Sequence, residues 1–420
     1  MNSLAPHRDA FATSYRPGWA VATTRPDIVL DLSRLLSRVF HATPTGVDRV
    51  EMAYAQTLLK LAPQRLRFTA IHPAGWHGDL STVAARRFLD ATLEQWTHGE
   101  GHRTILARCR DALAVGRRHA PGSGAWPAVY LHLSARGLER TNLLRSAQRR
   151  HQARFVPFVH DLIPLEHPEY ARPGGMALYR RKIAAVADLA DAVLVNSEAT
   201  ARALAPYLHA AGREISIHVA PLASTFAPLP ARAEASDTPP YFVVLGTIEP
   251  RKNHLLLLNV WRRMVETLGP SATPRLVVIG RRGWENENVL DLLDRCPALE
   301  GVVIERGRLA DPQVRGLVAG ARAVLAPSFA EGFCLPMVEA LALRTPVIAS
   351  DLAVLRQTGG DAPDYLDPLD GPAWFRAILD YALPGSVPRR AQLARLSAWR
   401  PSSWEDHVGG VLDFLAETQP

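Results

Sequence analysis

Short apolar runs alternate with helix-length stretches along this chain, stop at a segment rich in proline and small residues, and then begin again. The first series is Ile28–Asp31, Arg67–Ile71, Val129–Leu133, Phe155–Val159, Ala192–Val195 and Ile215–Ala220, with a helix that opens near Gly46 and runs through Val50, Tyr54 and Leu58. The break is Ser224–Pro240. The second series is Tyr241–Leu245, Arg275–Ile279, Gly301–Glu305, Ala323–Ala326 and Val347–Ala349, with helices near Leu255–Leu268, Val289–Leu293, Pro312–Ala321 and Pro336–Leu343. Strands that alternate with helices form a parallel sheet covered on both faces. A chain of 420 residues can bury two such cores. The expected organisation is a loose tail over 1–26, an α/β domain over 27–225, a linker over 226–240, a second α/β domain over 241–398, and a closing segment over 399–420. The helix Trp404–Glu417 in that segment can pack on either domain.

Composition narrows the classes. No apolar run approaches the roughly 20 residues that span a bilayer, and the amino-terminal residues lack the apolar core of a signal peptide. Cys109, Cys296 and Cys334 are scattered and form neither a disulfide framework nor a metal spacing. A cytoplasmic setting is expected, with no metal and no cofactor. The net charge of +7 fits three readings: a basic composition without a partner, attraction to an anionic membrane surface or phosphorylated substrate, or nucleic-acid binding. The last is not expected, because no recognisable nucleic-acid module accompanies the charge.

Four segments carry residue types suited to chemistry. In Ala326–Ser350 a strand ends in a loop with Glu331 and Gly332, and Pro336 then suits the first turn of a helix. The amides of Phe333, Cys334 and Leu335 at that helix end can bind an anion, and Gly332 lets backbone approach closely. Glu331 and Glu339 lie eight apart; read singly, one is a solvated loop residue and the other a helix-dipole carboxylate. In Val243–Met264 a strand turns at Gly246 and Thr247 and delivers Arg251 and Lys252 to the crevice where open sheets bind ligands. In Pro44–Leu59 Gly46 opens a helix shortly after the first strand. In Phe155–Tyr170 His160 and Asp161 follow a strand directly; such a histidine can equally be a core or loop residue. Ser197 is as good a helix cap as a ligand.

Together these segments resemble the large retaining glycosyltransferase family 4. APSFAEGFCLPMVEA matches that family's E-x7-E element, GTIEPRKN its phosphate-binding element, IGRRGW a donor-domain loop, VNSEAT a strand-to-helix element, and SAWRPSSWEDHVGGVLDFL its closing helix, which returns to the amino-terminal domain. The resemblance covers about 150–410 well and 28–60 modestly. It implies the GT-B fold, an α/β architecture of two Rossmann-like domains whose parallel sheets face each other across a cleft. It implies a catalytic set of Glu331, His160, Lys252 and Arg251. It implies a donor-binding set of Glu339, Gly332, Phe333, Cys334, Leu335, Gly46, Gly246 and Thr247. Glu331 would contact the donor sugar and Glu339 the ribose. Cys334 stands where the family usually has glycine. Thr247 stands where many members have arginine, and Arg251 is available in its place. Arg281 and Trp284 would lie near the base, and Asp161 would orient His160 or bind acceptor.

The implied reaction moves a sugar, with retention, from a nucleoside diphosphate to a hydroxyl of a glycan or lipid-linked acceptor. The wording of GTIEPRKN inclines the donor toward GDP-mannose and the setting toward bacterial surface polysaccharide at the inner-membrane face. The alternatives are a GT-B nucleotide-sugar epimerase and a non-catalytic sugar-nucleotide-binding subunit. Residues 61–150 carry no recognisable signal.

Overall fold

The computed structural model describes residues 25–72, 74–99, 102–116, 128–226 and 240–417. The expected tail and linker therefore fall almost wholly outside the described residues. Thirteen strands form two sheets among them. The first holds β1 (Ile28–Asp31), β2 (Leu66–Ile71), β3 (His77–Leu80), β4 (Ala128–His132), β5 (Ala153–Val159), β6 (Ala192–Val195) and β7 (Ser216–Val219) in the order β3-β2-β1-β4-β5-β6-β7. The second holds β8 (Tyr241–Leu245), β9 (Arg275–Ile279), β10 (Val303–Arg306), β11 (Val324–Ala326), β12 (Val347–Ser350) and β13 (Asp364–Leu366) in the order β10-β9-β8-β11-β12-β13. All strand pairs are parallel except β2 with β3.

β3 and β13 are the strands the sequence pattern did not announce. β3 reads HGDL, which is neither an apolar run nor an alternation, and it forms because a tight hairpin lays it on β2 with Phe68 opposite Leu80. Its Gly78 is required by the neighbouring chain, since a Cβ there would meet the Gly116 carbonyl oxygen at 2.2 Å.

Both sheets reverse their strand order at one place, between β1 and β4 in the first and between β8 and β11 in the second. The carboxyl ends of strands at such switch points open into a crevice. The loops after β1, β8 and β11 are the ones that carry Gly46, Gly246–Lys252 and Glu331–Leu335. Topology alone thus brings three separated segments to one cleft.

The domains are tied together at several points. The helix Trp404–Glu417 lies on the helix Gly46–Leu61, burying Val408, Val411, Leu412 and Leu415 with Val50, Tyr54 and Leu58. His407 locks that packing with one ring nitrogen on the Pro221 carbonyl at 2.9 Å and the other on the Tyr54 hydroxyl at 2.7 Å. Across the cleft Arg49 clasps Asp311 through two bonds of 2.8 and 2.6 Å. The rings of Tyr170 and Phe329 stack at 6.2 Å. Phe226, the first residue of the expected linker, is instead buried in the core of the second sheet.

Candidate donor-sugar site

The cleft between the domains is a cavity of about 710 Å³. All twelve residues named from sequence line it: Glu331, His160, Lys252, Arg251, Glu339, Gly332, Phe333, Cys334, Leu335, Gly46, Gly246 and Thr247. Asp161, Arg281 and Trp284 line it as well; Ser197 does not, and instead caps its helix by accepting the Thr200 amide at 3.1 Å.

Glu331 is the electrostatic centre. Its carboxylate accepts from Lys252 Nζ at 2.5 Å, from Arg251 at 2.9 Å and from Ser328 Oγ at 2.7 Å. Burial alone would raise its pKa, but Lys252 and Arg251 outweigh that and hold it at about 2. Arg251 also pairs with Glu249 through Nε at 2.6 Å. Burial would lower the guanidinium, and Glu331 with Glu249 raise it instead. The two cations expected to face a diphosphate are thus balanced by two carboxylates. Glu249 was passed over in the sequence because an acid three residues before a lysine carries no pattern of its own. Arg281 and Arg308 line the same cavity, and neither guanidinium has a carboxylate partner among the described residues.

The second carboxylate, Glu339, sits in the helix Leu335–Ala342. Thr225 Oγ1 donates to it at 2.5 Å. Burial raises its pKa, with Arg49 and Thr225 opposing. Glu339 is therefore already satisfied by a hydroxyl, which is the kind of partner a ribose supplies.

One sequence reading is corrected here, that of Asp161, and Gly332 and Cys334 gain detail. Gly332 permits a close approach of protein backbone: a Cβ there would meet the His160 carbonyl oxygen at 2.3 Å. Asp161 does not orient His160. The imidazole Nε2 is held by the Leu133 carbonyl at 2.8 Å, and Asp161 caps its own turn by accepting the Ile163 amide at 3.1 Å. Cys334, where the resemblance would place glycine, caps the helix in the left-handed region at φ 69°, where glycine is unstrained. Burial also pushes its thiol up to about 12.

His160 is half-buried, and desolvation pushes its pKa down to about 4. It is a neutral imidazole at pH 7, with one nitrogen committed to Leu133. Gly46 stands 3.4 Å, by its missing Cβ, from Leu335 of the other domain. Its helix end is partly used within the turn, since the Thr45 amide donates to Asp48 at 2.7 Å. Trp284 lies over Arg172 at 4.7 Å and reaches the Tyr170 carbonyl at 3.4 Å, which makes it part of the seam between domains. Arg49 and Asp311 gave no sequence signal, because their pairing spans 262 positions and two domains.

Comparison with known proteins bears on family and fold. Residues 228–362 match the family model Glycosyl transferases group 1. An Escherichia coli O-antigen chain mannosyltransferase B is 34% identical over 169 residues, 40% of this chain and 43% of that protein. An Escherichia coli serotype-specific mannosyltransferase WbdA is 26% identical over 368 residues, 81% of this chain and 40% of that protein. The chain thus spans about two fifths of the length of these relatives. Among solved structures, sucrose-phosphate synthase from Thermosynechococcus elongatus superposes with a TM-score of 0.60 at 15% identity, covering 93% of this chain and 99% of that one. HepE from Anabaena, in complex with UDP and glucose, gives 0.57 at 15%, covering 94% and 99%. The chain therefore has the GT-B fold of glycosyltransferases.

Proposed function

We propose that the chain is a retaining hexosyltransferase of glycosyltransferase family 4. It moves a sugar from a nucleoside diphosphate to a hydroxyl of a glycan or lipid-linked acceptor in bacterial surface polysaccharide assembly, and GDP-mannose is the donor we favour. The observation that carries this reading is Glu331 held by Lys252 and Arg251 at the foot of the helix Leu335–Ala342, in the cavity that His160 also lines. The mannosyltransferase names of the sequence relatives support the sugar, and the UDP and glucose in HepE support a nucleotide-sugar pocket.

In this mechanism the bond between the anomeric carbon and the diphosphate oxygen breaks. Negative charge grows on the leaving diphosphate, and Lys252, Arg251 and the helix amides stabilise it more than they stabilise bound donor. The acceptor hydroxyl attacks from the same face, and its proton passes to the departing diphosphate oxygen. Glu331 holds sugar hydroxyls and Glu339 the ribose. Neutral His160 adds no positive charge beside the developing oxocarbenium. No resident metal is invoked.

No helix among the described residues is long and apolar enough to cross a membrane. Attraction of a chain of net charge +7 to the cytoplasmic face of the inner membrane completes the proposal.

The test is a thermal-shift panel of GDP- and UDP-sugars followed by acceptor-dependent release of nucleoside diphosphate and NMR of the product anomer. Stabilisation by GDP-mannose and an α-linked product are expected. Stabilisation by no nucleotide, or nucleotide release that no acceptor stimulates, would defeat the reading.

A further inference from the structure

Arg108 lies in the helix His102–Ala112 and is only 1% exposed. Its Nη2 donates to the Arg38 carbonyl at 3.3 Å. Its Nε and Nη1 are buried and have no hydrogen-bond partner among the described residues, and no carboxylate among them pairs with the guanidinium. Arginine keeps its proton in proteins. A full positive charge is therefore shut away from water with two donors unmet, which is costly unless something anionic answers it.

Arg108 lines a small pocket of about 10 Å³, the room one water-sized atom needs. Its other walls include Thr92 and Trp96 of the helix Thr82–His98, and Arg38, His41, Thr43 and Pro44 from the stretch that precedes the helix Gly46–Leu61. One acid, Asp48, reaches the same pocket, and both of its carboxylate oxygens are taken. Oδ1 accepts from Arg34 Nε at 2.6 Å, and Oδ2 accepts from Arg38 Nε at 2.7 Å, the Thr45 amide at 2.7 Å and Thr45 Oγ1 at 2.8 Å. Three guanidiniums thus surround one carboxylate. The same imbalance shows at the exposed His41: burial, Arg38 and Arg281 push its imidazole below the ordinary value against the pull of Asp48, and Arg108 adds to them.

Charge and size together define the ligand. It must be an anion, since water would fill the space and leave the guanidinium uncompensated. It must be close to a single atom in size, which sulfate and phosphate are not. We propose that the pocket beside Arg108 binds one monovalent halide, chloride being the abundant one, with Arg108 Nε and Nη1 as its donors. Thr43 and Pro44 line the large cleft as well, so the ion sits behind the loop that leads to Gly46. The site is independent of sugar transfer and stands whether or not that reading holds.

Two measurements on the full-length protein test it. In urea unfolding at fixed ionic strength, replacing gluconate by chloride should raise the midpoint steadily with the logarithm of chloride concentration, because a ligand of the folded state alone stabilises it. Arg108→Met should lose this response, and Arg110→Met, which removes an exposed charge from the same helix, should keep it. Equal midpoints in the two salts, or the same chloride response in Arg108→Met, overturns the proposal. The chloride NMR linewidth should show excess broadening in the presence of wild type, which bromide removes and sulfate at equal ionic strength leaves in place. Arg108→Met should weaken the binding at least tenfold. If that variant does not fold, the linewidth of wild type still decides: no excess broadening makes the pocket a water site, removal by sulfate places the ion in the open cleft, and either result defeats the inference.

Discussion

In the second sheet the central strands β9, β8, β11 and β12 bury valine, leucine, isoleucine, phenylalanine and alanine, and the ionisable groups gather at their ends. The first sheet runs differently. Asp31, Thr69, His77, Tyr130 and His132 lie within it, all buried, with the Tyr130 hydroxyl on Asp31 at 2.7 Å and His77 and His132 each 3.6 Å from the same carboxylate. Burial would raise Asp31, but the two histidines hold it well below the usual carboxylate range. One half gathers the Glu331 cluster in loops that line the cavity, beyond the ends of its central strands. The other spreads its charges through its interior, where each must be matched to avoid a desolvation penalty. A cavity-lining loop cluster can be built on plain apolar strands; the other half carries wired ones.

The largest expected effect is in the loop cluster. Glu331→Ala should lower kcat roughly 10²- to 10³-fold and, by leaving Lys252 and Arg251 without their shared partner, destabilise the fold by about 3–5 kcal/mol. Turnover and urea midpoint read the two effects. Full activity in this variant would show that the cluster is structural only. Next, Asp31→Ala should cost about 3–5 kcal/mol in urea unfolding, although no donor residue is touched. A loss under 1 kcal/mol would erase the contrast between the two interiors.

The pH dependence follows from His160, His254 and His407, each pushed by burial to about 4. Unfolded, each would take a proton near 6.5; folded, each refuses it until about 4. Stability should therefore fall as pH drops from 6.5 toward 4, by at most roughly 3 kcal/mol per histidine. Two of the three belong to the packing of the amino-terminal half. His407→Gln should accordingly flatten the slope of urea midpoint against pH, and an unchanged slope would remove His407 from this account. Glu331, held at about 2, adds a further loss only as pH falls from about 4.5 toward 2.

Arg49→Ala should weaken cleft closure by about 1–2 kcal/mol through loss of the partly buried pair with Asp311. Small-angle scattering should show a larger radius of gyration, and donor KM should rise several-fold; neither change would mean that the clasp does not hold the domains. The smallest effect is at Cys334. Cys334→Gly should be more stable than Cys334→Ala by about 1 kcal/mol, because only glycine relieves the left-handed backbone. Equal thermal midpoints would mean that this turn is unstrained.

The same asymmetry governs what was legible. Apolar runs flanked by helices gave the second sheet strand by strand save β13, a three-residue edge strand reading DYL. The clustering of Glu331, Arg251 and Lys252 was legible because all three lie in the loops that follow two strands at a switch point. β3 and the Asp31 cluster were opaque. Their residues are polar, so periodicity does not flag them, and their burial depends on contacts such as Asp31 with Tyr130, 99 positions away. Cross-domain partners were hidden for the same reason. Arg49, Thr225 and Asp311 acquire meaning only when the halves meet.

Gly332 has one consequence for how wide the cleft can be. Where the loop after β11 meets the end of β5, main chain rests against main chain, with space for a hydrogen atom and no carbon. Side chains adapt by changing rotamer; peptide groups cannot. At this contact the two domains meet backbone to backbone, so any side chain in place of the Gly332 hydrogen would wedge the cleft wider by pushing on a peptide group that has no rotamer to change.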